Sequence, residues 1–298
     1  MKEIIKIIRG NAAIDAAILT KDKSIEGVQK YFGCRLEEIA AIGDEVGDLS
    51  FLTKKGLGLV GAPANAQPKL FDTLKKQKNS YFPEGESFNG FLNFYKESIR
   101  REIKLIISDK DGVLKDGDKT FGHDFKKLAL TIGVKQNPYV IILTGSSYQQ
   151  NLPFMEEYGL NDQLKINPYI EKYPFLVLAE NGAVHINILN GEIRNYVNEI
   201  CPELLNILKT DFEMEVRNRL EKEVLPKCNL SWSNNYKDQK EKVYHVQDKL
   251  SMVTFNVPRT FLNGDNYRKS AESEIFRKRV VEVMQEVSER LSLPYEII

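Results

Sequence analysis

The stretch EIKLIISDKDGVLKDG, residues 102–117, decides the fold class predicted for this chain. A run of apolar and β-branched side chains, typical of a buried strand, leads directly into two acids, Asp109 and Asp111. In an open α/β sheet, ligands bind beyond the carboxyl ends of the strands. The stretch therefore predicts a strand that delivers two carboxylates to the edge of a sheet where ligands bind.

A second stretch, EIAAIGDEVGDLSFL at residues 38–52, repeats this pattern. Its apolar run ends just before Asp44, and Asp48 follows four residues later. If the two strands are neighbours, the carboxylates converge, and such a cluster either raises some pKa values sharply or requires a cation. Mg²⁺ is the natural cation because it is held by one or two carboxylates with waters and substrate phosphate. The two stretches together indicate two halves of one Mg²⁺ site.

Residues 108–117 have two other possible interpretations. An Asp-Gly segment after a strand, taken alone, more often forms only a turn, and that alternative stays open for this stretch by itself. A calcium loop of the EF-hand type needs an acid at position 5 and Gly at position 6. Counted from Asp109, those positions hold Val113 and Leu114, so this type of calcium loop is excluded.

Composition limits the classes of protein to which the chain can belong. The 298 residues allow one large domain or two moderate ones, and 42 basic side chains balance 42 acidic ones, with a pI near 6.9. This balance provides no global field for nucleic acid or an anionic membrane. Three cysteines without metal-ligand spacing argue against a disulfide framework or a zinc site. No apolar run approaches the roughly 20 residues of a membrane span, and the first ten residues lack a secretory signal. We expect a soluble, cytoplasmic protein.

Strand and helix patterns alternate as far as about residue 183, which predicts an α/β fold with a parallel sheet. The strands are predicted in EEIAAIG, LGLVG, IKLIIS, YVIILTG and PFLVLAENGA, and the helices in the segments between them, including LSFLTKKG closed by Gly56, HDFKKLALTIG and QNLPFMEEYG. Beyond this point a hairpin around Asn190 and Gly191, a long helical stretch, and a strand, helix and strand are predicted. The change of pattern indicates a second domain.

Together these residues resemble the phosphatase branch of the haloacid dehalogenase superfamily. SDKDGVL resembles the DxD signature of that family, which implies that Asp109 is the nucleophile and Asp111 the general acid and base. VIILTGS resembles the strand that ends in the Thr or Ser binding the transferring phosphoryl group, here Thr144. GDEVGDLSFL resembles the acidic element that completes the Mg²⁺ site, with Asp44 as a ligand and Asp48 in support.

The fourth element of the family is a lysine at the start of the helix before the acidic strand, and the family's spacing selects Lys21 over Lys23. Each element alone is weak evidence, whereas the four together are a strong signal. The resemblance implies Mg²⁺ bound by four acids and a catalytic set that includes Lys21 and Thr144. The implied metal ligands are Asp109, Asp111, Asp44 and Asp48.

The resemblance also implies an architecture, namely a Rossmann-like three-layer parallel sheet core covered by an α+β cap of the large, C2 type. AENGAVHI, residues 179–186, resembles the segment where such a cap leaves the core. We accordingly predict a core at 16–183 and a cap formed by 184–298 with 1–15. Three residues are assigned to substrate binding: Gly145, Asn181 and Lys249.

The order of the elements differs from that of the family, in which the DxD element comes first and the acidic element last. Here the acidic element opens the chain. A circular permutant with termini in the cap is the favoured explanation, because close and exposed termini tolerate permutation. Two incomplete halves of a tandem protein, or exchange of segments between copies in a swapped dimer, are the alternatives. The family also often has Asn where this chain has Gly47, which removes an amide near the metal.

These features predict a Mg²⁺-dependent phosphatase that hydrolyses a small phosphorylated metabolite, with a sugar phosphate favoured, through an aspartyl-phosphate intermediate. We expect no nucleic-acid or membrane partner, and a monomer or a swapped dimer. A non-catalytic binding or regulatory module is the alternative from another class, supported by Gly47 and the altered order of elements. A phosphomutase is a third and weaker one.

Overall fold

The computed structural model describes most of the chain, in two compact units. One unit comprises Thr20–Arg194, and the other Met1–Leu19 together with Asn195–Ile298. The described residues are 4–9, 13–115, 137–151, 175–187, 191–232, 243–244, 246–247, 249–256, 262–263, 268–269 and 271–298. The helices predicted at 123–133 and over most of 150–159 lie outside them.

The unit Thr20–Arg194 has an α/β fold built on one mixed sheet. The strands predicted from apolar runs are present in this sheet. In chain order the described strands are β3 (Ile39–Ile42), β4 (Leu59–Gly61), β5 (Ser80–Tyr81), β6 (Leu105–Ser108), β7 (Tyr139–Leu143), β8 (Phe175–Ala179), β9 (Val184–Asn187) and β10 (Ile193–Asn195). They lie in the order β10-β9-β8-β7-β6-β3-β4-β5, and β8 to β5 form a parallel array. The sequence-based prediction of parallel strands with helices is confirmed.

The central position of β6 follows from its composition. All four residues of β3 and of β6, and all five of β7, are buried, as expected for parallel strands covered on both faces. β6 pairs with β3 on one side and with β7 on the other. The register sets Ile42 opposite Ser108, so that the acids following β3 and β6 emerge side by side.

Helix α1 (Lys21–Phe32) precedes β3, and α2 (Leu49–Leu52), α3 (Pro68–Leu74) and α4 (Ser87–Arg100) connect the strands from β3 to β6. α2 is shorter than predicted, because the chain leaves the helix at Thr53 and reaches a positive φ of 98° at Gly56. α3 and the short strand β5 were not predicted. Residue Gly61 of β4 meets α4 closely, since a Cβ there would lie 2.5 Å from the Phe94 ring.

The boundary of this unit differs from the predicted end of the core at 183. β9 pairs antiparallel with β8 and extends the same sheet, and β10 follows it after a turn in which the Gly191 N–H donates to the Asn187 carbonyl. The hairpin predicted around Asn190 and Gly191 therefore remains with the large sheet, although Asn190 itself is outside the described residues.

The other unit contains a five-stranded sheet and a long helix. Its strands are β1 (Ile5–Arg9), β2 (Ala13–Ala17), β13 (Val246–Gln247), β14 (Met252–Asn256) and β17 (Tyr295–Ile297), in the order β13-β14-β2-β1-β17. Two further sheets have two short strands each. One pairs β11 (Ser231–Trp232) with β12 (Val243–Tyr244), and the other pairs β15 (Leu262–Asn263) with β16 (Arg268–Lys269). β1 and β17 pair in parallel, which joins segments from opposite ends of the sequence.

The helices of this unit are α5 (Tyr196–Ile200), α6 (Pro202–Ile207), α7 (Glu213–Arg219) and α8 (Ala271–Arg290). π-helical turns follow α6 and α7, so that a helical stretch extends through the segment predicted as one long helix. Apolar side chains from the sheet and helices form one core, which includes Ile5, Ile7, Phe212, Val216, Phe255, Val280 and Met284. None of the helices in the described part of the chain has the length and apolar character needed to cross a membrane.

Candidate metal centre

Three carboxylates converge where β3 and β6 end. Asp109 directly follows β6, and its N–H donates to the Ile42 carbonyl at the end of β3, at 2.9 Å. Asp44 and Asp48 lie in the segment after β3. One carboxylate oxygen from each of these three acids lies within 4.8 Å of the other two. The two acidic stretches of the sequence thus form one cluster within a single chain.

Lys21 connects two of these acids. It is the first residue of α1, and its Nζ lies 2.5 Å from Asp109 Oδ1 and 2.7 Å from Asp48 Oδ1. Lys23, the neighbouring lysine of the same helix, is exposed, and its Nζ lies 3.9 Å from Glu26 Oε1. Asp109 Oδ2 accepts no hydrogen bond from the described residues. One oxygen of Asp109 is therefore fixed by Lys21, and the other remains available.

Asp48 organises the segment that carries Asp44. Its buried carboxylate accepts through Oδ2 from the backbone N–H groups of Asp44 and Glu45, each at 3.1 Å. Gly43 is needed for this arrangement, because a Cβ at that position would lie 2.6 Å from Asp48 Oδ2. The Gly-Asp pair after β3 is thus explained by packing, since the turn closes tightly over the Asp48 side chain.

Burial dominates the electrostatics of the cluster. It raises the pKa of Asp44 to about 9, with further contributions from the negative charges of Asp109 and Asp48. Burial also raises the pKa of Asp109 to about 7, although Lys21 opposes that rise. Burial lowers the pKa of Lys21, but the two carboxylates that it contacts outweigh burial and hold the pKa above its usual value. When all three acids are ionised, the single charge of Lys21 leaves an excess of negative charge, which favours a cation.

The donor set fits Mg²⁺ on an independent observation. Asp44 Oδ1 is buried and has no hydrogen-bond partner, an expensive state for a carboxylate oxygen unless another group binds it. Gly112 lies against the same carboxylate, since a Cβ there would lie 2.1 Å from Asp44 Oδ2. Hard oxygen ligands are those that Mg²⁺ prefers. Asp44 and Asp109, with support from Asp48, are the residues that would hold the ion.

Asp111 is placed differently from the prediction that made it a metal ligand. Among the described residues, the acids that converge on a possible cation position are Asp44, Asp48 and Asp109, without Asp111. Asp111 lies in a turn beyond β6, and its half-exposed carboxylate is 3.4 Å from both Lys110 Nζ and Ser146 Oγ. The Asp111 carboxylate thus contacts Lys110 and Ser146 and is not one of the acids that converge on the possible cation position.

Burial also affects Lys110, between the two acids of the DxD element. Burial lowers the pKa of Lys110, and the nearby charges of Asp111 and Asp109 offset this only in part.

The predicted phosphoryl-binding residue Thr144 is buried directly after β7, the neighbour of β6. Its Oγ1 accepts from the Ser146 N–H at 3.1 Å, and its carbonyl accepts from the Asn181 N–H at 2.9 Å. Gly145 and Asn181 adjoin each other, since a Cβ at Gly145 would lie 3.3 Å from Asn181 Oδ1. Thr144, Gly145 and Asn181 therefore belong to one group of loops in the unit Thr20–Arg194.

Lys249, the remaining residue assigned to substrate binding, belongs to the other unit. Its side chain is buried, and its Nζ lies 3.8 Å from Asp15 Oδ1. Asp15 Oδ1 also accepts from Thr254 Oγ1 at 2.5 Å, so that Lys249, just before β14, joins a polar group with Asp15 of β2 and Thr254 of β14.

The sequence analysis did not identify two polar residues whose hydrogen bonds hold the segments around the candidate metal centre. Asn65 Nδ2 donates to the Gly112 carbonyl at 2.8 Å, and its Oδ1 accepts from the Ser87 N–H at 2.7 Å. Gln67 donates its N–H to the Asp44 carbonyl at 2.8 Å and accepts from the Val46 N–H through its side chain at 3.1 Å. The signal in the sequence is the loop APANAQP after β4, whose Asn and Gln lie beyond the end of another parallel strand.

Comparison with known proteins gives no match of any kind. No family model matches the chain, and neither the curated proteins nor the solved structures contain a match to it. The arrangement of the residues is therefore the basis for proposing a function.

Replacing Gly112 by Ala is expected to weaken Mg²⁺ binding by about 10- to 100-fold, the range typical of groups that orient metal ligands. The new Cβ would collide with the Asp44 carboxylate, and the positive φ of 79° adds strain. Gly191→Ala is the matched control, because Gly191 has a similar φ of 73° and open space around it. Both variants should lower the melting temperature, but only Gly112→Ala should weaken Mg²⁺ binding in a calorimetric titration. Equal affinities in the two variants would contradict the placement of Gly112.

Proposed function

We propose that this chain is a Mg²⁺-dependent phosphomonoester hydrolase with a haloacid dehalogenase-like core, acting through an aspartyl-phosphate intermediate. The observation that supports this most strongly is the convergence of Asp44, Asp48 and Asp109 around Lys21. Asp44 Oδ1 is buried and has no hydrogen-bond partner. Such an oxygen is unfavourable in a purely structural cluster, whereas a bound cation would satisfy it. The resemblance of four separate sequence elements to that superfamily supports the same function.

In the proposed reaction Asp109 attacks the phosphorus atom of the substrate. A bond forms between Asp109 Oδ2 and phosphorus while the bond from phosphorus to the leaving oxygen breaks. The contact from Lys21 Nζ to Oδ1 fixes the carboxylate in the orientation that presents Oδ2. Splitting hydrolysis into formation and breakdown of an acyl phosphate replaces one difficult step by two easier ones.

Asp111 moves the protons in this proposal. It gives its proton to the leaving oxygen in the first step, so that the alcohol departs neutral. In the second step it takes a proton from the water that attacks phosphorus, and the bond from Asp109 to phosphorus breaks. Phosphate and the free Asp109 carboxylate result. Such proton transfer typically contributes roughly 10²- to 10⁴-fold in rate.

The remaining groups stabilise the charge of the phosphoryl group and fix its position. Mg²⁺, when bound, neutralises the phosphoryl group and allows an anion to approach an anion. Lys21 and Thr144 hold the equatorial oxygens as negative charge redistributes in the transition state. Lys21 is suited to this because the carboxylates around it keep it charged.

The favoured substrate is a small phosphorylated metabolite, and a sugar phosphate in particular. This follows from the resemblance, because members of the family with large α/β caps often act on such compounds. The altered order of elements is compatible with turnover, since Asp44 and Asp109 converge within one chain. A circularly permuted arrangement is the explanation that we favour for it.

The direct test is phosphate release from a panel of sugar phosphates and p-nitrophenyl phosphate, with Mg²⁺ and with EDTA. We expect Mg²⁺-dependent release from at least one compound and none with EDTA. If no compound releases phosphate under either condition, the hydrolase proposal fails. Transfer of the phosphoryl group to a second position of the sugar without release would indicate a phosphomutase instead.

Mg²⁺ should stabilise the protein more at high pH than at low pH. The pKa values of Asp109 and Asp44 are raised to about 7 and about 9. In the metal-free fold each acid is therefore protonated at a pH below its pKa. Their stabilising contribution is present below the usual pKa near 3.8 and is lost as pH rises through about 7 to 9. Over the same window protons cease to compete with Mg²⁺ for the carboxylates.

We therefore expect Mg²⁺ at about 100 times its dissociation constant to raise the melting temperature by about 5 to 10 °C at about pH 9. At about pH 6 the same Mg²⁺ concentration should raise it by much less, because protons occupy the ligands. Thermal denaturation with Mg²⁺ and with EDTA measures both values. An increase of the same size at both pH values would show that these acids do not bind the ion.

A further inference from the structure

Lys110, which lies between Asp109 and Asp111, is buried although it is a lysine. Its side chain is 7% exposed, its Nζ donates to Asn151 Oδ1 at 3.0 Å, and it lies 3.4 Å from Asp111 Oδ2. Lysines are almost never buried unless they are paired. The cost of burying this charge indicates that its position matters for the groups that it contacts.

Hydrogen bonds fix both the side-chain ammonium group and the backbone carbonyl of Lys110. Asn151 is fully buried, and its Nδ2 donates to the Ser147 carbonyl at 2.8 Å, which orients its Oδ1 towards Lys110. The Lys110 carbonyl accepts from the N–H groups of Leu114 and Lys115, at 2.9 and 3.0 Å. The ammonium group is thus held at a defined place beside Asp111.

The two oxygens of the Asp111 carboxylate have different surroundings. Oδ2 is shared by Lys110 Nζ and Ser146 Oγ, each at 3.4 Å. Oδ1 accepts no hydrogen bond from the part of the chain that the structure describes. Contacts to one oxygen restrict rotation of a half-exposed side chain and leave the other oxygen available.

We propose that Lys110, held in place by Asn151, is a positioning residue that orients Asp111 for proton transfer through Oδ1. The inference rests on the proposed hydrolase function and concerns a residue of the DxD element to which the resemblance assigns no role. Lys110 takes no proton and touches no substrate in this role. Its removal lets the Asp111 carboxylate rotate, so that fewer molecules present the proton to the leaving oxygen.

The dependence on the leaving group distinguishes this role from a merely structural one. Phenyl phosphate and p-nitrophenyl phosphate are similar in size, but p-nitrophenolate departs readily without a proton whereas phenolate benefits from one. Lys110→Met replaces the buried side chain by an unbranched apolar one that is one atom shorter, and removes its charge and its donor. We expect it to lower kcat/KM on phenyl phosphate by about 10²-fold. On p-nitrophenyl phosphate the loss should be at least about tenfold smaller.

A double-mutant cycle tests whether Lys110 acts through Asp111. In the Asp111→Asn background, Lys110→Met should have little further effect on phenyl phosphate, because residues acting as one unit are not additive. Asn151→Leu, which removes the group that holds Lys110, should show the same selective loss and provides a second variant if Lys110→Met fails to fold. Lys104→Met is the control, since Lys104 is an exposed lysine just before β6.

Equal losses on the two substrates, or a full additional loss in the Asp111→Asn background, would overturn the positioning role while leaving the hydrolase proposal intact. A wild-type protein with no activity on either aryl phosphate or on the sugar phosphates would instead remove the proposed function, and this inference with it.

Discussion

Asp109→Asn should abolish phosphate release, lowering kcat by at least about 10⁴-fold, as loss of a catalytic nucleophile does in other hydrolases. The amide is nearly isosteric with the carboxylate but cannot form the acyl phosphate. Lys21 keeps its contact with Asp48 in the variant, so the buried ammonium retains a charged partner. The fold should therefore persist, which circular dichroism and the melting temperature can establish.

Asp72→Asn is the matched control for this prediction, because Asp72 is an exposed acid of the same unit that lies 3.9 Å from Lys75. It should leave kcat unchanged. Substantial turnover by the Asp109→Asn protein, from a preparation free of other phosphatases, would overturn the assignment of Asp109 as the nucleophile.

Asp44→Asn should act in a different way, by raising the Mg²⁺ concentration needed for half-maximal activity by about 10²-fold or more. A neutral amide is a poorer ligand for a hard cation than a carboxylate. Part of kcat should return when Mg²⁺ is raised, because Asp109 and Asp111 remain in place.

A second prediction for Asp44→Asn concerns the melting temperature. The pKa of about 9 means that Asp44 is already protonated at neutral pH in the metal-free protein. Asp44→Asn should consequently change the melting temperature in EDTA very little, while it removes most of the increase that Mg²⁺ produces. An unchanged Mg²⁺ requirement in a titration of activity would contradict the role of Asp44 as a ligand.

The elements that position the candidate site were predictable because their sequence signal is strong. Strands β3, β6 and β7 are uninterrupted apolar runs, and the polar residues Asp44, Asp109 and Thr144 mark where those runs end. Chain order alone does not fix which strands are neighbours. The pairing of β3 with β6 is seen only in the structure, because the other strands β4 and β7 are equally buried and apolar.

Other features had no local signal. Helix α3 has seven residues and strand β5 has two, so both are too short to give a clear periodic signal. The role of Asn65 depends on contacts with Gly112 and Ser87, which are distant in sequence. The extension of the large sheet by β9 depends on pairing with β8 rather than on the composition of β9. Tertiary contacts decided these features, and a single sequence does not record them.

A crystal structure of the protein with Mg²⁺ and beryllofluoride would show directly whether Asp109 is the nucleophile at a Mg²⁺ site. In this complex beryllium stands in for the phosphorus of the aspartyl phosphate. We expect beryllium bound to Asp109 Oδ2, with Mg²⁺ held by Asp44 and Asp109 of the same chain and Lys21 beside the fluorides. Beryllofluoride bound elsewhere, or a cluster of the three acids that takes up neither beryllofluoride nor Mg²⁺, would contradict it.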